Sequence, residues 1–150
     1  MSLWWISALS LVPWVELRGS IPLALAQGHP PLKTFLLCTL ANLLVIAPGW
    51  LALDLCYHRF FSRFGWVNRQ VDRVRRKGTP YVQRYELLGL ALFVAVPLPG
   101  TGAYAGTLLA WLLGLPRGKA WAAISAGVAA AGLAVTAVSS GAVEGLRLLR

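Results

Sequence analysis

Long apolar segments of this chain alternate with short groups of proline, glycine and charged residues. Residues 3–12 carry no charge, and residues 13–22 then place Glu16 and Arg18 between prolines. A ten-residue helix rises about 15 Å, half of a hydrocarbon core about 30 Å thick. The pattern therefore predicts a re-entrant helical hairpin over residues 3–28, built from helix 3–12, a loop near 13–19 and helix 20–28.

The next apolar run, residues 32–57, is long enough to cross a membrane once. It contains Pro48, which lacks an N–H donor and is expected to kink the helix. In residues 58–86, apolar side chains recur at helical spacing while arginines lie off that stripe. This segment is predicted to be an amphipathic helix on the membrane surface. Its apolar stripe consists of Phe60, Phe64, Val67, Val71 and Val74.

Residues 87–115 contain no charged side chain. This length exceeds one comfortable span and is too short for two, and residues 97–102 (Pro-Leu-Pro-Gly-Thr-Gly) interrupt it in the middle. We therefore predict a second re-entrant hairpin over 87–115, followed by a spanning helix over 119–143.

The two halves of the chain share an order of elements. A shift of 86 residues superimposes Pro13 on Pro99, Gly28 on Gly114, Pro30 on Pro116 and Lys33 on Lys119. Each half would cross the membrane once, so the second half must be inverted relative to the first. Inverted repeats with broken helices are typical of secondary transporters. The predicted fold is a single all-α membrane domain, residues 1–150, with two inverted repeats.

Composition and charge support a membrane protein and argue against nucleic-acid binding. The chain is 57% hydrophobic and 13% charged, with a mean hydropathy of +0.64. Its net charge of +9 is concentrated in residues 58–86, which hold eight of the fourteen basic residues. Such a loop is expected in the cytoplasm. Both termini are then predicted to lie outside, and we expect the protein in the bacterial cytoplasmic (inner) membrane.

Glu16 and Arg18 are the main candidates for chemistry, because ionisable residues near the bilayer centre are rare and usually functional. In one interpretation they neutralise each other and only hold the loop, or the loop is shallow enough for both to reach water. In the other, Glu16 carries a proton and Arg18 binds an anion. A substrate phosphate that competes for Arg18 would then change the protonation of Glu16.

The second loop offers backbone groups rather than charge. Its glycines permit tight turns, Thr101 offers a hydroxyl, and Gly102 or Ala103 is expected to begin a helix whose N-terminus favours an anion. Asn42 and Asp54 are secondary candidates: Asn42 for a hydrogen bond across helices, Asp54 for pairing with linker arginines. No metal cluster, phosphate loop or hydrolase motif is present, so neither a cofactor nor enzymatic activity is predicted. The full set of candidate residues is Pro13, Glu16, Arg18, Gly19, Pro22, Asn42, Asp54, Pro97, Pro99, Gly100, Thr101 and Gly102.

The two loops resemble a known family. P-x-x-E-L-R-G-S-I-P at residues 13–22 and F-V-A-V-P-L-P-G-T-G at residues 93–102 are similar to the motifs of the bacterial family of putative small multidrug export proteins. That family more remotely resembles the DedA/VTT superfamily, whose members have two opposed re-entrant hairpins and are associated with moving lipids across membranes, including the undecaprenyl phosphate carrier. The resemblance carries over to Glu16, Arg18 and the second loop. DedA proteins usually place arginine in the second hairpin motif, whereas residues 87–115 here have none.

These observations predict a membrane transporter that moves an amphipathic or anionic lipid-like substrate, coupled to protons. One alternative is an exporter of cationic amphipathic drugs with Glu16 as the binding acid, which the neighbouring Arg18 disfavours. Another is a membrane organiser that transports nothing. The expected partners are membrane lipids, the amphipathic substrate, protons and a second copy of the chain in a homodimer.

Overall fold

The computed structural model describes residues 2–12, 14–59, 64–66, 69–70, 72–73, 85–96 and 101–148. Within these ranges the regular structure is α-helical and contains no strand. Pro13, Pro97, Pro99, Gly100 and most of the predicted amphipathic linker lie outside the described residues. The helices are α1 (Leu3–Leu9), α2 (Glu16–Ala26), α3 (Pro31–Leu44), α4 (Ile46–Arg59), α5 (Glu86–Ala95), α6 (Ala103–Leu113) and α7 (Arg117–Leu148).

The first helix pair, α1 and α2, occupies the region of the first predicted hairpin, but its boundaries differ. The second helix begins at Glu16 rather than at residue 20, so Arg18 and Gly19 belong to a helix and not to a loop. The turn before it is closed by the backbone N–H groups of Val15 and Glu16, which both donate to the Val12 carbonyl. Pro22 lies inside α2. Because it has no N–H, it cannot donate to the Arg18 carbonyl one turn earlier.

Among the described residues, two helical stretches are long and apolar enough to cross a membrane, Pro31–Tyr57 and Arg117–Gly145. The first is interrupted at Val45, between α3 and α4, three residues before the predicted kink at Pro48. Since Pro48 lacks an N–H, the Leu44 carbonyl loses its usual partner, and the irregularity appears one turn upstream of the proline. The second stretch belongs to α7, which extends beyond the predicted 119–143 at both ends.

The two long stretches run antiparallel. Asp54 forms an ion pair with Arg117 near one end. Farther along, a Cβ built on Gly132 would lie 2.9 Å from Thr39 Oγ1. From the first contact to the second, residue numbers fall by fifteen in one stretch, from Asp54 to Thr39. They rise by fifteen in the other, from Arg117 to Gly132, so the two directions are opposite. Among the described residues Asp54 pairs with Arg117; the expected pairing of Asp54 with linker arginines involves a segment that lies mostly outside them.

Helix α7 has small residues on two faces, and only one of these faces is buried. The stripe Ala122, Ala126, Ala130 and Ala134 is exposed, whereas Ala120, Ala123 and Ala131 are buried. At Gly127 a Cβ would lie 2.6 Å from the Ala91 carbonyl oxygen and 2.7 Å from Val94 Cβ. Because Gly127 has no side chain, α5 can approach α7 closely. Helices α5 and α6 are called the second helix pair.

Local structure repeats at positions 86 residues apart. Both Gly28 and Gly114 end a helix with positive φ, +83° and +70°, a conformation that glycine adopts at low cost. Three backbone N–H to carbonyl hydrogen bonds of the first half each have a counterpart 86 residues later. The bond from His29 to Ala24 matches that from Leu115 to Ala110, and the bond from Gly28 to Leu25 matches that from Gly114 to Trp111. The bond from Thr34 to Pro30 matches that from Ala120 to Pro116. The two halves therefore share these helix ends and helix starts bond for bond.

Candidate functional site

Glu16 is buried at the first turn of α2, with 7% of its surface exposed. Its backbone has a positive φ of 45°, which is uncommon for a residue other than glycine and occurs often at functional positions. The Ser20 hydroxyl donates to the Glu16 carbonyl at 2.9 Å and shares a hydrogen bond of 2.5 Å with the Ser10 hydroxyl. These contacts tie the start of α2 to the residue that follows α1.

The Glu16 carboxylate lies at the N-terminus of α6. It accepts a hydrogen bond from the backbone N–H of Tyr104, and a Cβ built on Gly102 would lie 1.7 Å from Glu16 Oε2. Gly102 is the N-cap of α6, as expected from the sequence. A helix N-terminus has free N–H groups and a partial positive charge, so it favours an anion. Here that anion is the chain's own carboxylate.

Arg18 binds the same tip of the second helix pair, at the C-terminus of α5. Its Nη2 donates to the carbonyls of Val94 and Val96, at 3.2 and 2.9 Å, and to the Thr101 carbonyl. The Thr101 hydroxyl also donates to the Val96 carbonyl, at 2.7 Å. Carbonyls at a helix C-terminus carry partial negative charge, which a guanidinium complements. The acid and the base of the first helix pair therefore contact the two complementary helix ends of the second.

Tyr104 is a site residue to which no sequence motif pointed. Its hydroxyl donates to the Leu11 carbonyl, so it returns from the second helix pair to the segment after α1. The 86-residue shift pairs Tyr104 with Arg18, and that correspondence is the signal that could have identified it. Arg18 reaches carbonyls at and after the end of α5, while Tyr104 reaches a carbonyl that follows α1.

A mainly apolar groove of about 360 Å³ adjoins these contacts. Tyr104 and Leu11 form one wall, and the interruption between α3 and α4 forms the other. Tyr104 therefore touches the groove with its side chain and Glu16 with its backbone N–H. The residues of the second wall are Leu44, Val45, Pro48, Gly49 and Ala52.

Three further candidates within the described residues, Gly19, Asn42 and Asp54, lie outside this arrangement. Asn42 is 1% exposed, and neither its amide nitrogen nor its amide oxygen has a hydrogen-bond partner in the structure, so the expected bond across helices is wrong. Asp54 is bound to Arg117 and Trp111 instead. Gly19 is exposed on α2, and a Cβ there would lie 2.7 Å from Val15 Cγ1. Among the described residues no group of three His, Cys, Asp or Glu side chains could hold a metal ion.

Comparison with known proteins finds one family. Residues 16–134 match the family described as "Putative small multi-drug export protein". No curated protein and no solved structure matches the chain. The matched region begins at Glu16 and includes Arg18, Tyr104, the second loop and the first long apolar stretch, and it ends at residue 134, within the second. With most of its length matched and two stretches able to cross a membrane, the chain belongs to the small multi-drug export family of membrane proteins.

Proposed function

We propose that this protein is a proton-coupled membrane transporter of amphipathic, anionic, lipid-like molecules. The observation that carries the proposal is the position of the Glu16 carboxylate, which occupies the N-terminus of α6 beside Gly102 and Tyr104. The N-terminus of α6 favours an anion, and the Glu16 carboxylate that occupies it loses its charge when it takes up one proton.

Competition at this position would couple protons to substrate. Protonation removes the charge of Glu16 and weakens its interaction with the helix N-terminus. An anionic headgroup could then take the place of the carboxylate, with Arg18 next to it as a second binding group. Loss of the proton would let Glu16 compete again and displace the headgroup. A strained backbone at Glu16 is compatible with a residue that has to release its partner.

The adjoining groove supports an amphipathic rather than a purely ionic substrate. Its walls are mainly apolar and it meets the charged contacts at Tyr104. A molecule with a polar head at Glu16 and an apolar tail in the groove would match both surfaces.

The contacts also support the inverted-repeat architecture with two re-entrant hairpins. Glu16 touches Gly102, its counterpart under the 86-residue shift, as expected of residues close to a pseudo-two-fold axis. Arg18 binds the Val96 carbonyl and Tyr104 binds the Leu11 carbonyl. The 86-residue shift places Arg18 on Tyr104 and places Leu11 one position from Val96, so the two bonds are nearly equivalent. Rocking of one repeat against the other around such an axis is the usual mechanism of alternating access.

The test uses liposomes that contain the purified protein and phosphatidylglycerol with a fluorescent short acyl chain. Dithionite added outside measures the movement of labelled lipid between leaflets, with and without a pH gradient. We expect the wild type to accelerate this movement and Glu16→Gln to lose the response to the gradient. Glu144→Gln, which neutralises an exposed carboxylate near the end of α7, is the matched control. Full gradient dependence in Glu16→Gln would overturn the proton-coupling role.

The family description favours a second candidate, export of cationic amphipathic drugs, with Glu16 as the binding acid. Ethidium loaded into the same liposomes distinguishes the two: its export without lipid movement would select drug efflux. Movement of neither molecule would favour the membrane organiser that transports nothing.

The orientation and assembly are further parts of the proposal. We place the protein in the bacterial cytoplasmic membrane with residues 58–86 inside and both termini outside, because the basic residues cluster in that segment. Labelling of single cysteines at Ser2 and Lys77, in a background lacking Cys38 and Cys56, tests this orientation.

A homodimer could use the exposed alanine stripe of α7, since small residues allow close helix contacts. In that case Ala126→Leu would shift the protein to monomer in native mass spectrometry.

A further inference from the structure

A second cavity lies between α4 and the start of α7, and it shares no lining residue with the groove at Tyr104. Its volume is about 240 Å³, and we call it the Trp50–Trp121 cleft. It follows one face of α4, where lining residues recur at helical spacing, and is closed by the first turns of α7. The lining residues are Ala47, Trp50, Leu51, Asp54, Arg117 and Trp121.

One end of the cleft is a hydrogen-bonded charged cluster. Trp111 Nε1 donates to Asp54 Oδ1 at 2.7 Å, while Arg117 pairs with Asp54 Oδ2. The Tyr57 ring packs edge-on against Trp111, with the ring centroids 5.0 Å apart. Both carboxylate oxygens of Asp54 are thereby engaged, and the guanidinium of Arg117 is held at the rim of the cleft.

Arg117 has more N–H donors than its ion pair with Asp54 can use. Its side chain is 72% exposed, and a guanidinium carries five N–H donors, which suit phosphate oxygens. A cation is disfavoured at the same place, since Asp54 already serves Arg117 and Trp111. The charged end of the cleft is therefore suited to a phosphate.

The polarity of the cleft changes along the long helices. Asp54 lies three residues before the end of the Pro31–Tyr57 stretch, and Arg117 begins the Arg117–Gly145 stretch. The apolar wall at Ala47 and Leu51 lies one to two turns deeper. A lipid in a bilayer has the same order, with its phosphate at the edge and its chains towards the centre.

We propose that the Trp50–Trp121 cleft binds a glycerophospholipid of the surrounding bilayer. Arg117 holds the phosphate, and an acyl chain lies against Leu51, Trp50 and the half-exposed Trp121. This binding site is separate from Glu16 and does not depend on the proposed transport.

The test is native mass spectrometry of the delipidated protein titrated with dioleoylphosphatidylglycerol. The probes for comparison are dioleoylglycerol, which has the same chains without phosphate, and inorganic phosphate, which has no chains. We expect only the phospholipid to bind tightly to the wild type. Arg117→Gln should weaken this binding about tenfold, the effect of losing hydrogen bonds to a charged group.

The matched control is Lys119→Gln, which removes the same charge two residues further along α7, outside the lining of the cleft. It should bind phospholipid like the wild type. Asp54→Asn/Arg117→Gln should show the same loss as Arg117→Gln, and it avoids leaving Asp54 without its partner. If Lys119→Gln weakened phospholipid binding as much as Arg117→Gln, the effect would come from general surface charge, and the assignment of the site to the cleft would be overturned. Equal binding of dioleoylglycerol, or tight binding of inorganic phosphate alone, would overturn the lipid assignment.

Discussion

The carboxylate of Glu16 fills the space that a side chain on Gly102 would need. A Cβ on Gly102 would lie 1.7 Å from Oε2 and 2.2 Å from Cδ of Glu16. The backbone of Gly102 is extended, with φ −122°, so glycine is required there by the close contact and not by backbone strain. The contact joins the two helix pairs at the point where the charge of Glu16 meets the N-terminus of α6.

Gly102→Ala should destabilise the protein by about 1–3 kcal/mol, the usual cost of overpacking a buried contact. The same substitution in a Glu16→Ala background should cost much less, because the clashing carboxylate is gone. Thermal unfolding in detergent measures both, with Gly118→Ala as control, since no atom lies within 4 Å of a Cβ there. An equal cost in the two backgrounds would argue against the contact.

Tyr104→Phe should lower stability by about 0.5–1.5 kcal/mol, because it removes one hydrogen bond, to the Leu11 carbonyl. The backbone N–H of Tyr104 that binds Glu16 stays in place. The response of lipid movement to the pH gradient should therefore survive in this variant and be lost in Glu16→Gln. Loss of the response in Tyr104→Phe would show that the hydroxyl takes part in coupling.

Asn42→Leu should leave the protein as stable as the wild type, or stabilise it by about 1–3 kcal/mol, the cost of a buried polar group without partners. The two side chains have similar length, and the amide of Asn42 makes no hydrogen bond in the structure. Thermal unfolding in detergent measures the difference in stability between Asn42→Leu and the wild type. A clear loss of stability would indicate that the amide binds a polar group, such as ordered water.

Gly127→Ala should separate α5 from α7 and cost about 1–3 kcal/mol, because the new methyl group meets the Ala91 carbonyl, a backbone atom that cannot turn away. Gly141→Ala on the same helix meets nothing within 4 Å. It should be neutral or stabilising by up to about 1 kcal/mol from helix propensity. Similar effects of the two substitutions would contradict the close approach of α5.

Part of the fold and of the site could be predicted because it depends on local chemistry. Gly114 ends α6, and Ala103 begins it after Gly102, as the spacing of glycine and proline indicates. The start of α2 at Glu16 was not predictable. It coincides with a backbone turn at Val12 and with a hydroxyl contact between Ser20 of α2 and Ser10, which follows α1.

The sequence by itself determined the membrane character, the two long apolar stretches, the interruptions near proline and glycine, and the repeated helix ends 86 residues apart. These follow from hydropathy, from the missing N–H of proline and from the left-handed conformation of glycine, which act within a few residues. Only the tertiary structure decided that Glu16 binds the N-terminus of α6, that Arg18 binds the carbonyls after α5, and that Asp54 pairs with Arg117. These partners lie 63 or more residues apart in the chain. Which charge meets which helix end depends on how the packed helices are arranged in space.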